Sequence, residues 1–102
     1  MKYIDTHSHI YLEDFDDDLP QVINRAHIAG VSRILLPNVD SSTIERMLNV
    51  CATYQGYCYP MIGLHPTSVK ADYENELAIV EQQLVSSNAY IAIGEIGLDL
   101  YW

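Results

Sequence analysis

Short apolar runs alternate along this chain with longer stretches whose apolar residues recur every three or four positions. The first run, about Lys2 to Thr6, reads as a strand. An acid-rich loop with Glu13, Asp14, Asp16, Asp17 and Asp18 follows, and Pro20 suits the first turn of a helix. Leu19, Val22, Ile23, Ala26 and Ala29 supply that helix's apolar stripe, and Gly30 its C-terminal cap. Arg33 to Leu36 predicts a second strand, left through Pro37-Asn38-Val39-Asp40. Ser42 and Glu45 have capping-box spacing, and Ile44, Met47, Leu48, Cys51 and Tyr54 mark the buried side of a second helix that Gly56 ends. A third strand runs from about Cys58 to Gly63. Pro60 inside it cannot donate to a ladder, so it must stand at the strand start, at a bulge, or where its N–H is unneeded. A third helix runs from near Asp72 to Val85 on a stripe of Tyr73, Leu77, Val80 and Leu84, and Tyr90 to Glu95 makes the fourth strand.

The order βαβαβαβ, with apolar strands and short connections, predicts an α/β fold: a parallel sheet buried on both faces with right-handed crossovers. The polar residues that interrupt the pattern all fall at one end of it. His7 and His9 follow the first strand, Asn38 the second, His65 the third, and Glu95 ends the fourth. Both (β/α)₈ barrels and open doubly wound sheets keep their sites at the C-terminal ends of strands. Four strands are the first half of a (β/α)₈ TIM barrel, which needs roughly 200 to 250 residues. Residues 1–102 are therefore expected to form a single incomplete domain.

Composition narrows the function classes. With 49% apolar residues the chain needs a buried core despite its net charge of -9. Its five basic residues, Lys2, Arg25, Arg33, Arg46 and Lys70, make no nucleic-acid patch. Were the substrate a phosphate ester, bound divalent cations would have to supply the attraction. Cys51 and Cys58 make no disulfide framework and read as reduced core residues. No apolar run approaches the roughly 20 residues of a membrane span, and the chemistry starts at Asp5, so a soluble cytoplasmic protein without a signal segment is expected.

Three constellations carry the chemistry. In Asp5-Thr6-His7-Ser8-His9 the two imidazoles, at alternate strand positions, point to one side and could share a metal, with Asp5 orienting one of them. In Gly94-Glu95-Ile96-Gly97-Leu98-Asp99 the glutamate would be costly to bury alone, has no base nearby in sequence, and is the natural third ligand. Asp99 just beyond it could support the site. His65, in Gly63-Leu64-His65-Pro66, is expected in the site as a catalytic group that holds a phosphate oxygen or the leaving group, not as a ligand. Asn38 either caps its loop or lines the site. His27 reads as surface and the acid run at 13–18 as a solvated loop, while Tyr11, Tyr101 and Trp102 flank the motifs and could face a substrate.

These motifs resemble the TatD family of metal-dependent deoxyribonucleases, within the amidohydrolase-like metal-dependent hydrolases. Asp5-Thr6-His7-Ser8-His9 is similar to its D-x-H-x-H opening, Gly63-Leu64-His65-Pro66 to its G-x-H-P segment, and Gly94 to Asp99 to its G-E-x-G-L-D signature. The resemblance implies a complete barrel with two divalent metals (Mg²⁺, Mn²⁺ or Zn²⁺) and hydrolysis of DNA phosphodiesters, often 3′ to 5′. It implies His7 and His9 on one metal and Glu95 bridging both. It also implies ligands from later strands, two histidines and an aspartate, for which this chain has no residues. The 102-residue chain is therefore expected to turn over little or no substrate and to self-associate through its open strand edges. The second reading is a related amidohydrolase-type enzyme acting on a small molecule.

Overall fold

The computed structural model describes residues 1–101. Trp102, which could face a substrate, lies outside the described residues. Four strands, β1 (Tyr3–Asp5), β2 (Val31–Leu36), β3 (Cys58–Ile62) and β4 (Ala92–Ile93), form one parallel sheet in the order β1-β2-β3-β4. Between them run α1 (Leu19–Ile28), α2 (Ile44–Thr53) and α3 (Tyr73–Ser86), with one-turn 3₁₀ helices at Glu13–Phe15, Ser41–Thr43 and Pro66–Ser68. This is an α/β half-barrel.

Local sequence explains most of this. Pro20 occupies the first turn of α1, where its missing N–H has no intrahelical partner to lose. Gly30 follows the helix with φ +95°, and a side chain there would place Cβ 2.7 Å from the Met1 carbonyl oxygen. Ile44, Met47 and Cys51 put one face of α2 into the core. The cap differs from expectation. Asp40, not Ser42, accepts the Ser42 N–H at 2.9 Å, and Thr43 Oγ1 accepts from Asp40 N at 3.3 Å, while Glu45 is exposed. The 3₁₀ turn at Ser41–Thr43 lengthens the entry and moves the cap upstream.

Pro60 pairs with Leu36 in mid-strand, without a bulge. Its carbonyl accepts from Ile91 N at 3.1 Å, so its nitrogen faces the side where β4 has not yet begun. The missing N–H costs no ladder bond.

Burial on both faces, as expected from the apolar strands, is not what forms. Ile34 and Leu36 of β2 and Cys58, Pro60 and Ile62 of β3 are buried on one side. The intervening Leu35, Tyr59 and Met61 are half-buried, and β1 and β4 are exposed throughout. Helices cover only the outer face, and four strands do not close around the inner one. The core joins Ile10, Tyr11, Ile23, Ile34, Leu36, Met47, Cys51 and Cys58. Both cysteines are free and buried there, and burial pushes their thiols up to about 12 and about 11. The expected stripe of α3 is poorly covered: Tyr73, Leu77 and Leu84 all stay exposed. Among the described residues no helix is long and apolar enough to cross a membrane.

Candidate metal centre

Four loops leave the same end of the sheet and bring their polar residues together. His7 and His9 do not lie on a strand, as their spacing predicted; β1 stops at Asp5. They converge because Ser8 N donates to Leu35 O at 3.2 Å, which keeps the segment extended along β2. Asp5 accepts the His7 backbone N–H at 3.0 Å, so it shapes the main chain and orients neither imidazole. The two Nε2 atoms end 3.2 Å apart.

Glu95 lies two residues past β4 and reaches all of the cluster. Its Oε2 is 3.0 Å from His7 Nε2 and 3.1 Å from His9 Nε2, and its Oε1 is 3.1 Å from His65 Nε2. The carboxylate is largely shielded, with 20% of its side chain exposed, and its charge partners among the described residues are these three imidazoles. Burial holds the proton affinity of His9 below the ordinary value; the Glu95 carboxylate opposes this and His7 reinforces it. A neutral His9 leaves the shielded carboxylate short of positive charge.

The donor set fits a divalent ion. Atoms bound to one ion at 2.0–2.2 Å lie about 3.0–3.5 Å from one another. His7 Nε2, His9 Nε2 and Glu95 Oε2 have separations of 3.0 to 3.2 Å. Imidazole and carboxylate together suit Zn²⁺, Mn²⁺ and similar borderline or hard cations. These three residues are the group of metal-competent side chains found among the described residues.

His65 is turned differently. Its Nδ1 accepts the Thr67 backbone N–H at 3.1 Å and lies 2.9 Å from Thr67 Oγ1. The proton of the neutral ring is therefore on Nε2, which makes it a donor toward Glu95 and not a ligand.

Asn38 is wholly buried. Its Nδ2 donates to Asp40 O at 2.9 Å and Gly63 O at 3.0 Å, and its Oδ1 accepts from Thr43 Oγ1 at 2.8 Å. Its main chain clasps the Glu95 turn: Asn38 N donates to Gly94 O at 3.0 Å, and Glu95 N donates to Asn38 O at 3.2 Å. Asp99 is not among the metal-competent group of His7, His9 and Glu95. Its Oδ1 accepts from Tyr101 N at 2.9 Å, and it lines a cleft of about 400 Å³ with Pro66, Thr67 and Val69. Tyr11, which could have faced a substrate, is 1% exposed, with its phenol pushed well up by burial. Tyr101 is exposed and His27 is a surface residue beside Tyr57. The acid run is exposed as expected, with Asp16 paired to Arg46.

The role of Gly63 within its motif was not legible from the sequence. A Cβ there would fall 2.7 Å from Gly94 C and 2.8 Å from Gly94 O. The glycines of two separate motifs are in contact, which brings the His65 turn against the Glu95 turn. Two glycines opening polar motifs at neighbouring strand ends were the available signal. The roles of Thr67 and Pro37 run through a neighbour's hydrogen bond and leave no mark in the local pattern.

A half-barrel that gathers two histidines and a glutamate at its strand ends carries a donor set suited to a divalent ion. The family model described as TatD related DNase matches residues 4–102, and the chain belongs to that family. It is 38% identical over 98 residues to the uncharacterized metal-dependent hydrolase YabD of Bacillus subtilis, covering 96% of this chain and 38% of that protein. It is 33% identical over 85 residues to the 3′-5′ ssDNA/RNA exonuclease TatD of Edwardsiella piscicida, covering 83% of this chain and 32% of the relative. The crystal structure of YJJV, a TatD homologue from Escherichia coli, superposes with a TM-score of 0.84 at 33% identity, covering 98% of this chain and 39% of that one. The chain thus spans between 32% and 39% of the length of these relatives.

Proposed function

We propose that this chain is the N-terminal half of a barrel whose complete form is a metal-dependent DNA phosphodiesterase working from the 3′ end. The convergence of His7 Nε2, His9 Nε2 and Glu95 Oε2 to within 3.0–3.2 Å carries the reading. The exonuclease name of the Edwardsiella relative supports the substrate class. In this reading His7 and His9 would hold one divalent ion and Glu95 would be the carboxylate shared with a second. Divalent ions there supply Lewis acidity, lower the pKa of water toward neutrality and offset phosphate charge. The last point matters for a chain of net charge -9, whose own side chains repel a polyanion.

His65 holds a proton on Nε2 that faces Glu95 Oε1 at 3.1 Å; with that carboxylate engaged by an ion, the same N–H would be free to donate to a phosphate oxygen or the leaving oxygen. Thr67 keeps that ring from turning over. Asn38 and Gly63 hold the Glu95 turn in place from behind.

The test is cleavage of end-labelled single-stranded DNA by the full protein with Mg²⁺, Mn²⁺ or Zn²⁺. Stepwise loss from the 3′ end, abolished by chelation and by His7→Ala with His9→Ala, is the expected result. Unchanged cleavage by that double variant sinks the reading. Hydrolysis of small amides or lactones in place of DNA would move the protein to the amidohydrolase-type alternative. Alone, the 102 residues are expected to cleave little and to associate through β1 and β4, whose exposed edges and apolar Tyr3, Ile4 and Ile93 invite pairing. A monomer at high concentration in sedimentation contradicts that association.

A further inference from the structure

By exposure Tyr11 is a core residue, yet its hydroxyl serves the site. Its Oη lies 2.6 Å from the Pro37 carbonyl oxygen and 3.0 Å from His9 Nδ1. A carbonyl only accepts, so the single phenolic proton is committed to Pro37. Contact with His9 is then made by the phenol's lone pair, and that requires a proton on Nδ1. Neutral imidazole carries one ring proton. His9 Nε2 is therefore bare, and it faces His7 Nε2 at 3.2 Å and Glu95 Oε2 at 3.1 Å.

We propose that Tyr11 is a positioning residue that fixes His9 as the Nδ1–H tautomer and so aims a bare Nε2 at the metal position. The inference rests on the reading of His9 as a ligand. His65 supplies the contrast within the same site: Thr67 takes its Nδ1 and leaves the proton on Nε2. Two imidazoles around one carboxylate are held in opposite tautomers by two neighbours. Tyr11 also ties the ring to the backbone that holds Glu95. Its acceptor is Pro37, and the next residue, Asn38, clasps Gly94 and Glu95. Both a histidine and the carboxylate are thereby located from one turn of chain after β2. Left without the phenol, Nδ1 has no fixed acceptor and the proton distributes over both nitrogens, which blocks Nε2 for part of the population.

Ring ¹⁵N–¹H correlation spectra of the metal-free protein near neutral pH test this, with the His9 signals assigned by their loss in His9→Gln. The wild type is expected to show Nδ1 protonated and Nε2 bare. Tyr11→Phe keeps the packed ring and loses only the hydroxyl; its His9 signals should move toward a mixture. Calorimetric titration with Mn²⁺ or Zn²⁺ should then show affinity about 10- to 100-fold weaker in that variant. Tyr57→Phe is the control. It removes a similar phenol-to-carbonyl bond, 2.6 Å to Val31 O, away from the site, and should match the wild type in both measurements. A wild-type His9 protonated on Nε2 overturns the proposal whether or not Tyr11→Phe folds. So does a Tyr11→Phe protein with wild-type spectrum and affinity. A wild type that binds no divalent ion while keeping the Nδ1–H pattern overturns the metal-centre reading and leaves the Tyr11–His9 assignment standing.

Discussion

The two sides of the sheet are built to different standards. On the first side, β2 and β3 lie under α1 and α2, and Leu36, Met47 and Ile62 are fully buried. On the second, α3 buries no residue, β4 is two exposed residues long, and Ile96, Leu98 and Leu100 face solvent. The candidate metal centre spans both. His7 and His9 lean on the packed side, whereas Glu95 hangs from the loose one. The carboxylate is nevertheless tightly located. The main-chain clasp of Asn38, the bond from Gly94 N to Ile62 O at 2.9 Å, and the contact of Gly63 with Gly94 hold it. Directional hydrogen bonds and a steric fit do what apolar packing does elsewhere. A site can be well located on a thinly buried edge when its backbone is bonded into a buried neighbour.

The largest effect should come from the packed side. Met47→Ala removes a wholly buried side chain and should cost about 2–5 kcal/mol in denaturant unfolding. A loss under about 1 kcal/mol would erase the distinction between the sides. Gly63→Ala drives a methyl into Gly94 backbone, which cannot swing aside as a side-chain tip can. About 1–3 kcal/mol should be lost, together with metal affinity, because the Glu95 turn must shift. Stability lost with affinity intact would show that the glycine contact does not locate the carboxylate. Leu77→Ala, on the half-exposed stripe of α3, should cost less than about 1 kcal/mol in the same assay.

A smaller effect concerns acid. Burial lowers the proton affinity of His9 in the native state, so the unfolded chain binds a proton that the folded one resists. With chelator present, stability should be full above the unfolded histidine value of about 6.5 and fall as pH drops below it. His9→Gln should flatten that part of the unfolding profile. An unchanged slope would mean that His9 is as solvated as a surface ring.

Much of the fold is local in origin and was legible from sequence. Element order follows from apolar periodicity, and Pro20, Gly30 and Gly56 mark ends by backbone geometry alone. The chemistry-bearing residues were legible for the same reason: a histidine or glutamate at the end of an apolar run stands out. Their relations were not. The Ser42–Glu45 spacing matches a capping box, but the inserted 3₁₀ turn hands the cap to Asp40. Asn38 reads equally as loop cap or site lining until Gly63 and Gly94 are seen beside it. Tyr11 follows His9 closely in sequence and yet turns inward.

Local patterning alone specifies a βαβ succession whose strand ends carry His7, His9, His65 and Glu95, because hydrophobic period and turn chemistry are properties of neighbouring residues. Contacts across the fold set which face of the sheet is covered, how far apart those four side chains lie, and which nitrogen of His9 and of His65 holds its proton. Those depend on contacts such as Tyr11 with Pro37 or Gly63 with Gly94, between residues distant along the chain, and no local pattern encodes them.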